Sequence, residues 1–324
     1  MLFSELPVEV NWTLAAVFAC LVFASAVTVT LAKLKPDKDS AELRDRVRTW
    51  WMIVVLFAAT LWMGYAFAIF FFAFVSYLAF KELLSLIPTR RADRRVLFWA
   101  YLVIPAQYAM VYLDWYGVVI VFIPVYIFLF LPVRMLMIGE TEGYLRAYGT
   151  LHWGLMTTVF CLSHAALLLM FQPRDVTRLE PAWPSEAGAL HPGAGLLVFL
   201  VLMTEVNDIA QFLWGKSLGR RKIAPKVSPG KTVVGFVGGA ATTAALAMLL
   251  GPAITLFTWQ TAAGAGLIIG VAGFVGDLAI SMLKRDLGVK DSGSTLPGHG
   301  GVLDRIDSLI YTAPLIFHYV FFLY

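Results

Sequence analysis

Charge is scarce in this chain and cysteine is nearly absent. Of 324 residues, 14% are Asp, Glu, Lys or Arg, and two are cysteine. A soluble domain carries about 25% charged and about 45–50% apolar residues, whereas here 60% are apolar and the mean hydropathy is +0.77. Those values exclude a water-soluble globule. They also exclude a disordered chain, which requires low hydrophobicity and high net charge. Cys20 and Cys161 both lie within apolar runs, which excludes a disulfide framework. No internal repeat or low-complexity tract stands out.

What the chain has instead is long apolar runs. A spanning helix needs about 20 mostly apolar residues, and such runs predict helices near 11–32, 50–63, 66–87, 96–113 and 116–137. Five more fall near 150–171, 194–214, 233–257, 260–283 and 306–324. The second and third form one stretch too long for a single span, and Gly64 is the expected break. The fold class is therefore all-α, a polytopic transmembrane bundle of about ten helices. No basic segment precedes the first helix and an acidic-basic stretch (Lys33 to Arg48) follows it, which argues against a cleaved signal peptide.

Basic residues test this layout independently. In it, 22 of the 25 Lys and Arg flank alternate loops on one side of the membrane. Positively charged loops stay cytoplasmic, so both termini are expected to be extracytoplasmic, in a cytoplasmic (inner) membrane. The segment from Gln172 to Pro192 holds four prolines and reads as an extracytoplasmic connector. A net charge of +4 on so apolar a chain suits anionic lipid or phosphate, and no nucleic-acid groove is expected. Residues 1–193 read as a scaffold almost free of buried charge. Residues 194–324 read as a catalytic region with two cytoplasmic loops.

That second region carries acids inside its helices: Glu205 and Asp208 in one, Asp277 in another. An acidic group at a helix centre costs about 2.5–3.5 kcal/mol on insertion scales, so function is the default explanation. Asp208 and Asp277 each lie six residues from the cytoplasmic end of the expected span, about 9 Å deep at 1.5 Å per residue. Equal depth suggests one cavity. Asp277, Ser281 and Lys284 share a helix face, as do Glu205, Asp208 and Gln211, while Asp304 and Asp307 open the last helix around Arg305. Carboxylates converging without His or Cys make a hard oxygen site suited to Mg²⁺.

Two loops accompany these acids. One reads Ser228-Pro229-Gly230-Lys231-Thr232 as it enters a helix, where backbone N–H groups and an ammonium can meet phosphate. It is not a Walker A loop, because the first glycine of that pattern is missing. The other holds Lys290-Asp291-Ser292-Gly293 and then a glycine-rich turn containing His299, Gly300 and Gly301, where backbone can approach a ligand closely. His152, His164 and His318 sit in or beside apolar helices and read as hydrogen-bonding residues.

The 27 residues from Ser281 to Asp307 resemble the signature of the phosphatidate cytidylyltransferases, the CDP-diacylglycerol synthases, with no broken position. They include Lys284-Arg285, Lys290-Asp291, Leu296-Pro297-Gly298-His299-Gly300-Gly301 and Asp304-Arg305-Ile306-Asp307. Asp208-Ile209-Ala210-Gln211-Phe212, Ser228-Pro229, Lys231-Thr232 and Gly276-Asp277-Leu278 are similar to the family as well, so the likeness covers roughly residues 205–310.

The resemblance implies that CTP and phosphatidic acid give CDP-diacylglycerol and pyrophosphate with Mg²⁺, a second metal ion being left open. It places the metal ligands at Asp277, Asp304 and Asp307. The phosphate-handling cations fall at Lys231, Lys284, Arg285, Lys290 and Arg305, with Ser281 in the catalytic set. Substrate contacts fall at Ser228, Thr232, Asp208, His299, Gly300 and Gly301. Two positions depart from the pattern, since Val234 and Ile280 stand where the family commonly has acids. The residues leave open a cation-coupled transporter, a catalytically weak or paralogous enzyme using another lipid phosphate, and assembly as a homodimer.

Overall fold

The computed structural model describes residues 6–34, 38–87, 94–173, 193–295 and 300–324. The chain runs through α1 (Val8–Leu34), α2 (Lys38–Met63), α3 (Tyr65–Leu86), α4 (Arg94–Tyr112) and α5 (Tyr116–Leu136). It continues through α6 (Tyr144–Met170), α7 (Gly193–Leu218), β1 (Lys222–Ala224), β2 (Ser228–Thr232), α8 (Val233–Ile254), α9 (Trp259–Asp286) and α10 (Leu303–Leu323). Every expected helix is present. All but α4 are long and apolar enough to cross a membrane among the described residues.

The break between α2 and α3 falls at Gly64, whose φ of 109° a side chain would strongly disfavour. Its N–H still bonds Leu61 O and its carbonyl accepts from Ala68 N–H, so the kink leaves few backbone groups open in the bilayer. Two helices also loosen locally, with π-helical turns at Phe122–Ile127 in α5 and Met156–Cys161 in α6. The former contains Pro124, which cannot donate to the ladder.

Two expectations need correction. The stretch from Lys38 to Arg48 is not a loop, because α2 already begins at Lys38. Nor is the loop after α7 purely irregular: β1 and β2 pair antiparallel, Lys222 opposite Thr232 and Ala224 opposite Ser228. That hairpin is too short and polar to show as strand periodicity. The expected connector Arg174–Pro192 lies outside the described residues.

One hydrophobic core joins the scaffold to the later helices, running from Leu83 through Leu168 and Leu197 to Ile310. α10 sits near its centre, against α3, α6, α7 and α9. α1 and α2 stand at the edge, with only 11% and 17% of their most apolar segments buried inside the protein. They hold each other through Trp51 Nε1 to Ser25 Oγ (2.9 Å) and Trp62 Nε1 to Asn11 Oδ1 (3.1 Å). His164 and His318 each engage the carbonyl four residues back with Nδ1, at 2.8 Å, as expected of structural histidines.

Candidate functional site

α7 brings Asp208, α9 brings Asp277 and α10 brings Asp307, while β2 reaches across them with Lys231. Asp208 lies ten residues before the end of α7 and Asp277 nine before the end of α9. Both are thus about 14 Å from their helix ends, at 1.5 Å per residue. The helices continue about a turn past the ends expected from their apolar stretches, and the two acids stand at matching distances from those ends. Asp307 lies within electrostatic reach of Asp277 and Asp208, and its neighbour Ser308 bonds Asp208 directly.

Close helix approach makes that possible. A Cβ on Gly276 would stand 2.6 Å from the Asp307 carbonyl oxygen, so only glycine lets α9 and α10 meet here. Ser308 Oγ donates to Asp208 Oδ2 (3.0 Å) and also lies 3.2 Å from the Gly273 carbonyl, tying α7, α9 and α10 together.

Cations are arranged around this centre. Lys231 Nζ lies 2.6 Å from Asp277 Oδ2 and donates to Gln211 Oε1 at 3.0 Å. Ser281 Oγ donates to the other Asp277 oxygen at 3.1 Å. Arg305, exposed in the first turn of α10, is within electrostatic reach of Glu205 and Asp208. Thr232 does not face the acids; its hydroxyl accepts the Gly235 N–H at 3.0 Å and caps α8, which fixes Lys231 beside it.

On the same face of α7, Asn207 Nδ2, Asp208 Oδ1 and Gln211 Nε2 are buried with no hydrogen-bond partner among the described residues. Buried polar atoms are nearly always satisfied, and three orphans together mark a place where something polar binds. Among the described residues, no group of three or more His, Cys, Asp or Glu side chains is arranged to hold a metal ion. Carboxylate oxygens, one unpartnered, still fit Mg²⁺, which takes one or two carboxylates and fills its remaining positions with water and phosphate.

Asp304, expected as a metal ligand, sits in a second cluster with Lys284 and the glycine loop. Its Oδ1 accepts from Lys284 Nζ at 2.6 Å. Its Oδ2 accepts the Ser292 N–H (2.8 Å) and the Gly301 N–H (2.9 Å) and lies 2.9 Å from Ser292 Oγ. These contacts fold the glycine loop onto α10. Gly300 takes a φ of 80° over this carboxylate, where a Cβ would stand 2.5 Å from Oδ2.

Arg285, expected to handle phosphate, donates Nε to Val227 O and Nη1 to Val289 O, both at 3.1 Å. It clamps the β-hairpin to the end of α9. Lys290 is exposed on the following loop and Ser228 is half-buried in β2. His299 lies outside the described residues. Of the two departures from the family pattern, Ile280 is fully buried in the hydrophobic core.

Sequence reasoning missed Glu82. This carboxylate on α3 is 9% exposed and meets the glycine loop from the scaffold side, contradicting a scaffold free of buried charge. The available signal was its place inside an apolar run, masked by neighbouring Lys81 and by closeness to the helix end. Gln211 and Asn207 were missed as unpartnered groups because hydrogen-bond saturation depends on neighbours from other helices.

The chain is similar to known proteins in keeping with this geometry. A model of the cytidylyltransferase family matches residues 44–323. The uncharacterized protein YnbB of Escherichia coli K12 is 42% identical over 312 residues, covering 95% of this chain and 97% of that protein. The phosphatidate cytidylyltransferase of Synechocystis is 42% identical over 148 residues, 44% of this chain and 50% of that enzyme. That of Brucella suis is 35% identical over 179 residues, 50% of this chain and 64% of that enzyme. Against these named enzymes the match spans between half and two thirds of their lengths.

Proposed function

The chain belongs to the cytidylyltransferase family and is a membrane-embedded nucleotidyltransferase; from that premise we propose that it joins CTP to phosphatidic acid, releasing pyrophosphate and forming CDP-diacylglycerol. The observation that carries this reading is the group of unpartnered polar atoms on α7 beside Asp277, Asp307 and Lys231, at membrane depth. The enzymes to which the chain is 35–42% identical are named for that reaction.

Both reactants are polyanions, so their mutual repulsion is the first obstacle. A phosphate oxygen of the lipid attacks the α-phosphorus of CTP, the bond from that phosphorus to the bridging oxygen breaks, and the electron pair leaves with pyrophosphate. The nucleophile is already ionised at neutral pH, so no strong base is required and His299 receives no proton-transfer role. Lys231 and Arg305 supply positive charge beside the reacting phosphates, held by the hairpin and by the first turn of α10. Asp208, Asp277 and Asp307 would hold Mg²⁺, while Asp304 ties the glycine loop to α10. Bound there, Mg²⁺ offsets charge developing on the leaving group. Asn207 and Gln211 offer the donors that orient a phosphate oxygen.

The hairpin and the loop before α10 face the cytoplasm in this reading, CTP arrives from that side, and the acyl chains enter between helices from the bilayer. The test is conversion of phosphatidic acid by protein purified in detergent, with CTP and Mg²⁺. Asp307→Asn should lower kcat at least about 100-fold, as losses of charge-stabilising groups do, and EDTA should abolish turnover reversibly. CTP binding without turnover would identify a different lipid phosphate as acceptor. Absence of both CTP binding and turnover would overturn the assignment.

A further inference from the structure

We propose that Glu82, on α3 of the scaffold, is a positioning residue for the cytidylyl transfer, holding the glycine loop and the first turn of α10 in register from outside the helices that carry the acids. This rests on the reaction assigned above.

The first N–H groups of a helix have no partner within it, and α10 has no side-chain cap of its own, since Val302 precedes it. Glu82 supplies the cap from another helix. Its Oε2 accepts the Val302 N–H at 2.8 Å and its Oε1 the Leu303 N–H at 3.3 Å, while the Ser292 hydroxyl donates to Oε1 as well. A carboxylate is the right group for this place, because the helix dipole favours negative charge there.

The loop is shaped around it. Gly293 leaves room where a Cβ would stand 3.1 Å from Glu82 Cδ, and at Gly301 a Cβ would collide with the carboxylate itself. The Ser292 backbone N–H donates to Asp304, and Asp304 pairs with Lys284. A continuous polar chain thus runs from α3 through the loop to α9 and α10, ending one helical turn from Asp307 and two from Asp277. A buried acid in a transmembrane helix is costly and needs such a reason. α3 itself does not need Glu82 in order to fold. The loop does, because its backbone donors would otherwise be buried without acceptors.

The test compares wild type with Glu82→Gln and Glu82→Asp as full chains in detergent, by steady-state kinetics and by hydrogen exchange read peptide by peptide. Glu82→Gln keeps the shape but presents a donor to donors. It should lower kcat about 10- to 100-fold, as small misplacements of reacting groups do, with KM for CTP changed less than threefold. Exchange should quicken in residues 291–308 and stay unchanged in α5 and α8, and Glu82→Asp should keep more activity than Glu82→Gln. A Glu82→Gln enzyme within twofold of wild type overturns the proposal. So does exchange that quickens throughout the chain, which would make Glu82 a general stabiliser. If wild type does not turn over phosphatidic acid, the reaction assignment fails. The exchange comparison then decides the anchoring by itself, with local loosening supporting it and none overturning it.

Discussion

At the scale of single residues, two aspartates three positions apart do different work. Asp307 is within electrostatic reach of Asp208 and Asp277, whereas Asp304 is enclosed by Lys284, Ser292 and Gly301. Breaking a buried ion pair by removing one charge costs about 3–5 kcal/mol, because the other charge is left without compensation. Asp304→Asn should therefore lower the unfolding midpoint in detergent markedly, while Asp307→Asn leaves it near wild type and removes turnover. Equal midpoints for the two variants would show that Asp304 is not the structural member of the pair. Sequence spacing put both residues on the first turns of one helix but could not distinguish these roles. Which partner each one meets depends on loop 291–301 and on α9, not on its own helix.

At the scale of elements, the site depends on helices that approach closely and on a short hairpin. Gly276 is where α9 meets α10, with no room for a side chain against the Asp307 carbonyl. Gly276→Ala should push these helices apart and lower kcat about tenfold or more, since a shift of about 1 Å at a reacting centre has costs of this order. Kinetics on the detergent-solubilised variant, with secondary structure followed by circular dichroism, would check it; unchanged kcat would mean the helices yield without moving the acids. The hairpin was hidden from pattern reading because residues 222–232 carry no alternation of apolar and polar side chains. Its pairing is instead secured by Thr232 capping α8 and by Arg285 clamping Val227. The break at Gly64, in contrast, was legible. A stretch too long for one span must turn somewhere, and glycine alone takes a φ of 109° without strain.

At the scale of the whole molecule, orientation remains to be tested. The basic residues of the hairpin, Lys222 and Lys226 among them, are exposed and should face the cytoplasm under the positive-inside rule. A cysteine placed at Lys226, in a chain with Cys20 and Cys161 replaced, should react with a membrane-impermeant maleimide in inverted vesicles and stay unlabelled in intact spheroplasts. The opposite pattern would invert the topology and put the CTP site on the wrong side of the membrane for a cytoplasmic nucleotide. The same scale gives the N-terminal helices unequal roles: α1 and α2 mainly face outward, whereas α3 reaches the glycine loop through Glu82.

The sequence by itself determined that this is a polytopic helical membrane protein and, to within a few turns, where its helices lie, and it pointed to the segment that resembles the family's signature. Hydropathy over a span and i, i+4 spacing are local properties, so they survive in one dimension. It also placed Asp208 and Asp277 at equal depth, because depth follows from counting residues along a helix. Only the tertiary structure decided that Asp304 holds a loop while Asp307 lies within electrostatic reach of the other acids, that Arg285 clamps a hairpin, and that Glu82, more than 200 residues from its partners, caps the last helix. Those assignments depend on which helix faces which and on whether a polar atom already has its hydrogen bonds, and both are set by packing between segments that spacing along the chain does not relate.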